Sequence, residues 1–293
     1  MKILVTGAAG FLGAILTKHL LEDGFEVTTF DQAEHNIDGA KPTVGNLLDV
    51  EALTAALSGH DAICHIGAIG DVYLAGENPQ LAASVNVVGC ANVALAASKA
   101  QARVVYASTW EVYGTPHTDP VDEEHPCDPD HPYSITKLAG ERLLLAADEL
   151  NDVPTVALRL GTAYGPGLRP NSVFRIFIDR ARNGEPITIQ GDGSQFRQFT
   201  HADDISRAFA LACRSDLRGE VFNTVAADPV TIKQLAELVV DRFPTELSYG
   251  ESRPGDVHPA MVSSDKAARL LGWKADISFE EGVTRLLDSA EQQ

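Results

Sequence analysis

The residues best suited to acid–base chemistry are Tyr133 and Lys137, which stand four positions apart in the segment YSITK. On a helix, that spacing places both side chains on one face. A phenol has a pKa near ~10 and is a poor base at neutral pH, but a nearby ammonium group, together with the positive nicotinamide of NAD⁺, favours the phenolate. The pair therefore predicts a tyrosine that accepts the proton of a substrate hydroxyl while hydride leaves to a nicotinamide cofactor.

A second polar cluster lies upstream in the segment ASTWEVYG, where Ser108 and Thr109 end an apolar run and Trp110 and Glu111 follow. The apolar run RVVYAS is typical of a buried strand. Glu111 adds a carboxylate at the same place, whereas the indole of Trp110 cannot protonate a leaving hydroxyl.

A glycine turn, TGAAGFLG, follows the first apolar run. Gly7 permits a tight turn, Gly10 lets the backbone approach a pyrophosphate, and Gly13 lets a helix pack closely on a strand. The N-terminus of that helix offers N–H donors and a positive dipole to phosphate. Asp31 ends the next strand-like run. A carboxylate there accepts the ribose hydroxyls and repels a 2′-phosphate, so the sequence predicts NAD rather than NADP.

These residues need a scaffold, and the chain alternates short apolar runs with helical patterns. Such alternation predicts an α/β fold of the Rossmann type, a doubly wound parallel sheet with helices on both faces. Loop-rich stretches become denser after residue 161. We therefore predict an NAD-binding domain over residues 1–165 that also receives segments near 198–225. A smaller C-terminal substrate-binding lobe is predicted over 166–197 and 226–293.

Composition narrows the class of protein. The net charge of −18 argues against nucleic acid or an anionic membrane as a partner. We expect no membrane helix of ~20 residues among the apolar runs, and the N-terminus is typical of a strand, not of a signal peptide. The four cysteines form no CxxC pair, which favours free thiols, no metal site and a cytoplasmic location.

Taken together, the motifs resemble the extended short-chain dehydrogenases/reductases, in the branch of NAD-dependent nucleotide-sugar epimerases and dehydratases that is similar to UDP-glucose 4-epimerase. The resemblance covers almost the whole chain and rests on TGAAGFLG, HIGA, VNVVG, ASTWEVYG, YSITK, RLGTAYGPG, GDGSQFRQFTHADDI, EVFNT, RPGD and LLGW. It implies that Thr109 holds the reacting hydroxyl and that Tyr133 is the base. It also implies that Lys137 binds the nicotinamide ribose and tunes the tyrosine.

The same resemblance implies which residues contact the two ligands. The cofactor-binding residues would be Gly7, Ala9, Gly10, Phe11, Leu12, Asp31, Asn46, Leu47, Ile66, Gly67, Ala68, Asn86, Ala107, Ser108, Tyr133 and Lys137. The residues that bind a nucleotide-diphosphate sugar would be Thr109, Trp110, Glu111, Thr162, Ser172, Arg197, Arg253 and Asp256. Arginine suits a diphosphate because its planar guanidinium can donate two parallel hydrogen bonds to phosphate oxygens. Thr162 replaces an asparagine that the family usually has there.

All reactions of the family begin by oxidising the sugar at C4. In the 4,6-dehydratases an Asp-Glu pair follows the threonine, but here Trp110 replaces the acid, which disfavours dehydration. The uronate decarboxylases use an arginine where this chain has Ala260, which disfavours decarboxylation. Decarboxylation remains the alternative because Glu111 is present. The sequence predicts 4-epimerisation through a transient 4-keto sugar, with Tyr133 as the base.

The substrate and the class of reaction are less narrowly defined by the sequence. A non-sugar NAD-dependent dehydrogenase stays open and would release NADH, whereas the intact catalytic residues argue against a non-catalytic NAD-binding regulator. Ala260 is small where some family members have a bulky residue over the sugar, and the resemblance therefore favours sugars larger than glucose, such as N-acetylated sugars or uronates. The nucleotide stays open among UDP, dTDP, GDP and CDP.

The segments 83–100 and 133–148 are rich in apolar residues, and the resemblance implies that they pair into a four-helix homodimer interface.

Overall fold

The computed structural model describes residues 1–251 and 260–291 of the chain. Within these ranges the strands are β1 (Lys2–Thr6), β2 (Glu26–Asp31), β3 (Lys41–Val44), β4 (Ala62–His65), β5 (Arg103–Thr109), β6 (Thr155–Leu160), β7 (Thr162–Tyr164), β8 (Ile187–Gln190), β9 (Phe196–Arg197), β10 (Phe199–His201), β11 (Glu220–Thr224), β12 (Val230–Thr231) and β13 (Leu247–Gly250).

The α-helices in the same ranges are α1 (Phe11–Glu22), α2 (Val50–Leu57), α3 (Val72–Glu77), α4 (Pro79–Ala83), α5 (Gly89–Ala100), α6 (Pro132–Asn151), α7 (Val173–Arg182), α8 (Ala202–Arg214), α9 (Ile232–Arg242) and α10 (Phe279–Glu291). Two π-helical turns cover Ser84–Val88 and Ala267–Leu271, and a 3₁₀ turn covers Trp110–Tyr113. The strands and helices expected from the apolar patterns are all present.

Seven parallel strands form the main sheet in the order β11-β6-β5-β4-β1-β2-β3, which confirms the predicted Rossmann-type α/β fold. After β3 the chain returns to the other side of β1 as β4. The strand order therefore reverses between β1 and β4. In open α/β sheets, ligands bind at the carboxyl ends of the strands at such a switch point.

The central strands have no polar face because helices cover both sides of the sheet. All residues of β4 and β6 are buried, as the continuous apolar runs AICH and TVALRL predict. One face packs on α1 and α8 through residues such as Leu16 and Phe209. The other face packs on α2, α5 and α6 through Leu53, Val93 and Leu144. The sheet is thereby a rigid base for the residues at its carboxyl edge.

Helix α6 begins at Pro132, directly before the candidate base. Proline suits the first helical position because its missing N–H has no partner there. The Nδ1 atom of His131 accepts the backbone N–H of Tyr133 at 3.2 Å and caps the helix. These two local signals fix the start of the helix, so Tyr133 lies in the first turn and Lys137 one turn later, on the same face.

A second hydrophobic cluster lies under the later segments. Helices α7, α9 and α10 contribute to it, and its rings include Phe174, Phe199 and Phe279. The ring centroids of Phe174 and Phe199 are 4.9 Å apart. Between these segments the chain returns to the main sheet, where β11 pairs with β6. A separate core is what a smaller lobe requires, and the proposed boundaries at 165, 198 and 225 stay a prediction.

The expectation that no segment is long enough for a membrane helix is wrong for one stretch. Residues 79–100 form 22 consecutive helical residues, and the most apolar window has a mean hydropathy of 1.6. Length and composition alone would suit a membrane. About 39% of that window is buried within the fold. One face packs against the sheet through Cys90, Val93 and Ala96, so core packing accounts for part of the apolar character.

Candidate active site

A cavity of about 750 Å³ opens at the carboxyl edge of the main sheet. Most of the residues that the sequence assigns to the two ligands line it together. They are Gly7, Ala9, Gly10, Phe11, Leu12, Asp31, Asn46, Leu47, Ile66, Gly67, Ala68, Ala107, Ser108, Thr109, Trp110, Glu111, Tyr133, Lys137, Thr162 and Ser172. Residues more than one hundred positions apart in the chain thus share one cavity, as the switch point of the sheet predicts.

The glycine turn between β1 and α1 leaves no room for a side chain at Gly7 or Gly13. Gly7 has φ +73°, a backbone conformation that glycine adopts without strain. A Cβ atom on Gly13 would lie 2.1 Å from the carbonyl oxygen of Gly7. Helix α1 therefore packs against the turn. Its first residues, Phe11 and Leu12, line the cavity, and the N–H groups of a first helical turn have no intrahelical acceptor. No side chain caps this helix.

Asp31, at the end of β2, borders the same turn. One carboxylate oxygen accepts the backbone N–H of Ala9 at 3.1 Å, and the other accepts that of Ala33 at 3.0 Å. These bonds hold the carboxylate at the rim of the cavity. An uncapped helix N-terminus and a fixed carboxylate at one end of a large cavity fit the pyrophosphate and the adenosine ribose of a dinucleotide.

The segment that follows β5 carries the second polar cluster. Thr109 ends the strand, and its Oγ1 accepts the backbone N–H of Glu111 at 3.3 Å, which caps the short 3₁₀ turn. Thr109, Trp110 and Glu111 all reach the cavity wall. Burial raises the pKa of the Glu111 carboxyl, and the nearby positive charge of Arg197 opposes this increase.

Tyr133 lies at the cavity wall close to Thr109 and Glu111. Burial and the negative charge of Glu111 raise the pKa of its phenol, while the interaction with the Thr109 hydroxyl and the charge of Arg169 lower it. The shift toward the phenolate that Lys137 and the nicotinamide of NAD⁺ are expected to cause together stays a prediction. Desolvation outweighs every cation near the ring.

Lys137 is buried, with its Nζ 4.2 Å from the centroid of the Tyr106 ring. Burial lowers the pKa of this ammonium to about 8. Burial, together with the charge of Lys137, lowers the pKa of His65 to about 3, so that imidazole is neutral near pH 7. His65 Nδ1 lies 2.8 Å from Thr6 Oγ1, and the Cys90 thiol lies 3.5 Å from its Nε2. Lys137 is thus a buried cation beside the neutral His65 imidazole, and the negative charge of Glu141 partly offsets the effect of burial on its pKa.

Not every predicted ligand residue lies on the cavity. Asn86 is behind its wall, where the side-chain amide accepts the N–H of Ile69 at 2.8 Å and donates to Thr136 at 3.0 Å. Its side chain supports the loop after β4, and its assignment to the cofactor stays a prediction. Arg197 borders a small neighbouring pocket that includes Trp110 and Ala260. Arg253 and Asp256 lie outside the described residues.

The sequence interpretation missed one cation at the cavity. Arg169 lines it, and its charge lowers the pKa of Tyr133. The residue stands in YGPGLRP, which the sequence marks only as a loop. A guanidinium NH1 of Arg169 lies 3.7 Å from the carboxylate of Asp71. The sequence feature that could have indicated this residue was a positive charge in an otherwise apolar turn between two prolines.

This combination of fold and site defines a Rossmann-fold enzyme of the short-chain dehydrogenase type: a glycine turn at the switch point, a strand-end threonine and a Tyr-x-x-x-Lys helix in one cavity. A sequence profile of the NAD dependent epimerase/dehydratase family matches residues 3–224. The chain belongs to that family, and its cofactor is NAD.

Individual relatives align with 98% or more of the chain. It is 31% identical over 307 residues to the UDP-glucose 4-epimerase of Mycolicibacterium smegmatis, across 98% of this chain and 98% of that protein. The structure resembles that of UDP-glucose 4-epimerase from Thermotoga maritima with UDP-glucose, with a TM-score of 0.93, 28% identity, and coverage of 100% of this chain and 99% of that chain. It also resembles MoeE5 in complex with UDP-glucuronic acid and NAD, with a TM-score of 0.92, 31% identity, and coverage of 100% and 99%.

Proposed function

We propose that the protein is an NAD-dependent nucleotide-sugar 4-epimerase that acts through a transient 4-keto sugar. The observation that carries the proposal is the cavity shared by Thr109, Tyr133 and Lys137, in which Trp110 takes the place of a proton donor. A 4-epimerase needs one base that returns the proton it has taken. It needs no separate acid for a leaving group.

The roles follow from the positions of these side chains. The Thr109 hydroxyl holds the O4 hydroxyl of the sugar, and the Tyr133 phenolate takes its proton. Bound NAD⁺ would supply the hydride acceptor and donor for C4 of the sugar, and it would bring a positive charge near the phenol. Lys137 holds the nicotinamide ribose and adds its own positive charge. After the keto sugar rotates, Tyr133 returns the proton to O4.

Two features support epimerisation over the other reactions of the family. Dehydration needs an acid at the position of Trp110, and an indole cannot supply a proton. Decarboxylation would use a cation near the sugar carboxylate. The position where the decarboxylases have an arginine is occupied here by Ala260, whose side chain is only a methyl group and which lies in the small pocket beside Trp110 and Arg197. Decarboxylation of a uronate is the second candidate, because Glu111 lies on the cavity wall as that reaction would need.

The substrate we propose is a UDP-sugar, which agrees with the UDP-glucose and UDP-glucuronic acid named for the two structural relatives. The test incubates purified protein with UDP-glucose, UDP-N-acetylglucosamine, UDP-glucuronic acid and their dTDP counterparts, without added NAD, and identifies products by NMR. Formation of the C4 epimer from at least one sugar is the expected result. Net NADH release would indicate a non-sugar or simple dehydrogenase, and a pentose product would indicate decarboxylation.

Asp31 is proposed to select NAD over NADP. Asp31→Asn keeps an acceptor for the Ala9 N–H but removes the charge that repels a 2′-phosphate, so NADP affinity should rise about tenfold and NAD affinity should fall. Isothermal titration of both cofactors measures the change. Glu34→Gln, an equal charge loss at an exposed residue nearby, is the control. Equal shifts in the two variants would contradict the role of Asp31.

A homodimer is proposed from the faces of α5 and α6 that the monomer leaves exposed. Val88 and Leu95 on one segment and Ile135, Leu143 and Leu150 on the other are between 40% and 75% exposed. Unburied apolar side chains on adjacent helices suit a four-helix contact with a second copy.

A cytoplasmic location is also proposed, because all four cysteines are free thiols.

The paired substitution Leu95→Asp and Leu143→Asp should convert such a dimer to monomer, because two charges would be buried in each half of the interface. Sedimentation velocity measures the mass. Leu270→Asp, which places the same charge on another exposed leucine, should leave the dimer intact. A wild-type protein that sediments as a monomer at tens of micromolar would overturn the proposal.

A further inference from the structure

One buried ion pair next to the cavity has no part in the chemistry proposed above. Glu141 is fully buried on α6, one turn beyond Lys137. Its carboxylate accepts the Nε of Arg159 at 3.1 Å and the NH2 of Arg159 at 2.7 Å. A third donor, the hydroxyl of Ser108, lies 2.6 Å away. A buried carboxylate with three short charge-assisted bonds is held in one orientation.

Arg159 extends these bonds to the far side of the cavity wall. Its NH1 donates to the phenol oxygen of Tyr113 at 2.8 Å, and that phenol donates to Asn223 at 2.7 Å. The guanidinium carbon also lies 4.8 Å from the Tyr113 ring centroid. Every polar atom in this chain of contacts is paired, so it is a fully satisfied network that favours one arrangement.

The two ends of the network are the two ends of one functional segment. Ser108 precedes Thr109, and Tyr113 ends the 3₁₀ turn that contains Trp110 and Glu111. The ion pair is bonded at both of these ends, whereas three of the four residues between them, Thr109, Trp110 and Glu111, line the cavity. Replacing a buried ion pair by apolar residues need not lower stability, so stability alone does not account for this charge.

We infer that Glu141 is a positioning residue: together with Arg159 it fixes both ends of the 108–113 segment and so holds Thr109 in register with Tyr133. This inference rests on the proposed function for its kinetic consequences. Glu141 also has a second effect, because its negative charge favours the protonated form of Lys137. The other titratable neighbours of Lys137 are Cys90, His65 and Tyr106.

The first test is Glu141→Gln, which keeps the size of the side chain and removes its charge. A misplacement of reacting groups by about 1 Å costs roughly 10²-fold in rate, so kcat should fall by about that factor while KM stays within about twofold. The alkaline limb of the kcat–pH profile should move to lower pH, because a lysine that loses a carboxylate neighbour loses its proton more readily. A structural role alone would not shift that limb.

The matched control is Asp148→Asn on the same helix. Asp148 is also a buried carboxylate paired with an arginine, accepting from Arg218 at 2.8 Å and from the N–H of Thr155 at 2.7 Å, but it lies away from the cavity. Its kcat per folded molecule and its pH profile should stay those of the wild type. Equal effects of Glu141→Gln and Asp148→Asn on kcat would overturn the inference.

A second readout needs no turnover. Trp110 and Trp273 are the two tryptophans of the chain, so Trp273→Phe leaves Trp110 as the sole indole on the 108–113 segment. Time-resolved fluorescence anisotropy should show faster local motion of Trp110 in Glu141→Gln and no change in Asp148→Asn. If the wild-type protein is inactive on every nucleotide sugar, the proposed function is wrong. The anisotropy result alone then tests the positioning role of Glu141.

If Glu141→Gln does not fold, Ser108→Ala and Tyr113→Phe each remove one terminal bond of the network and keep the ion pair. Each should lower kcat by about tenfold and increase the motion of Trp110. The double variant should lose less than the product of the two single losses, because both bonds hold one segment. Wild-type kcat and anisotropy in both single variants would overturn the inference.

Discussion

Tyr133→Phe is expected to lower the rate of C4 epimerisation by about 10³-fold, since a positioned acid or base typically contributes between 10² and 10⁴. The change removes only the phenol oxygen and keeps the ring. Binding of NAD and of the nucleotide sugar should therefore stay within about twofold. The loss would appear in kcat and in kcat/KM equally, as expected for an interaction made only in the transition state.

The size of the effect follows from the surroundings of the phenol. Burial and the charge of Glu111 raise its pKa above the ordinary range, so at neutral pH the protein alone holds Tyr133 as the neutral phenol. Taking a substrate proton requires the phenolate. The positive charges that reach the ring, those of Arg169 and of bound cofactor, must therefore overcome desolvation. No other phenol among the residues lining the described cavity could take over this task.

The measurement is the initial rate of epimer formation by Tyr133→Phe under saturating sugar, with NAD content checked by absorbance after denaturation. Tyr249→Phe, the same change at a tyrosine that is 54% exposed, should keep wild-type activity. Activity of Tyr133→Phe within about tenfold of the wild type would mean that another group is the base.

Local sequence signals predicted the parts of the site that depend on neighbours in the chain. Tyr133 and Lys137 share a helix face because Pro132 and His131 fix where that helix begins. The glycine turn is equally local, because Gly7 has a positive φ and a Cβ on Gly13 would meet the backbone of Gly7 and Ala8. Alternation of apolar runs and helices was sufficient for the parallel sheet, since each crossover returns the chain to the same edge.

Contacts between distant segments were not predictable in this way. Glu141 meets Ser108 and Arg159 only because β5, β6 and α6 pack side by side. Nothing in LAGERLL distinguishes its glutamate from a solvated one. The bond from the Ile69 N–H to the Asn86 amide, in the loop after β4, was likewise not evident from the motif VNVVG. The pKa of Tyr133 likewise depends on burial, which the spacing of two residues cannot report.

Gly13→Ala is expected to weaken NAD binding by about 10²-fold. The added methyl would lie 2.1 Å from the Gly7 carbonyl oxygen and 2.9 Å from the Ala8 Cα, both backbone atoms that cannot rotate away. Helix α1 must therefore move from the turn, and its N–H donors move with it. Overpacking of this kind costs about 1–3 kcal/mol, and each ~1.4 kcal/mol lost from cofactor binding is tenfold in Kd.

The control separates a misplaced helix from a general effect of adding a methyl group. Gly89→Ala makes the same change in buried helix α5, where the nearest atom, Leu47 Cβ, is at an ordinary 3.5 Å. That variant should keep the NAD affinity of the wild type. Titration of NAD into each protein, with circular dichroism to confirm folding, gives the comparison. If Gly13→Ala bound NAD as tightly as Gly89→Ala, the close packing of α1 on the turn would not be what places the donors for the pyrophosphate.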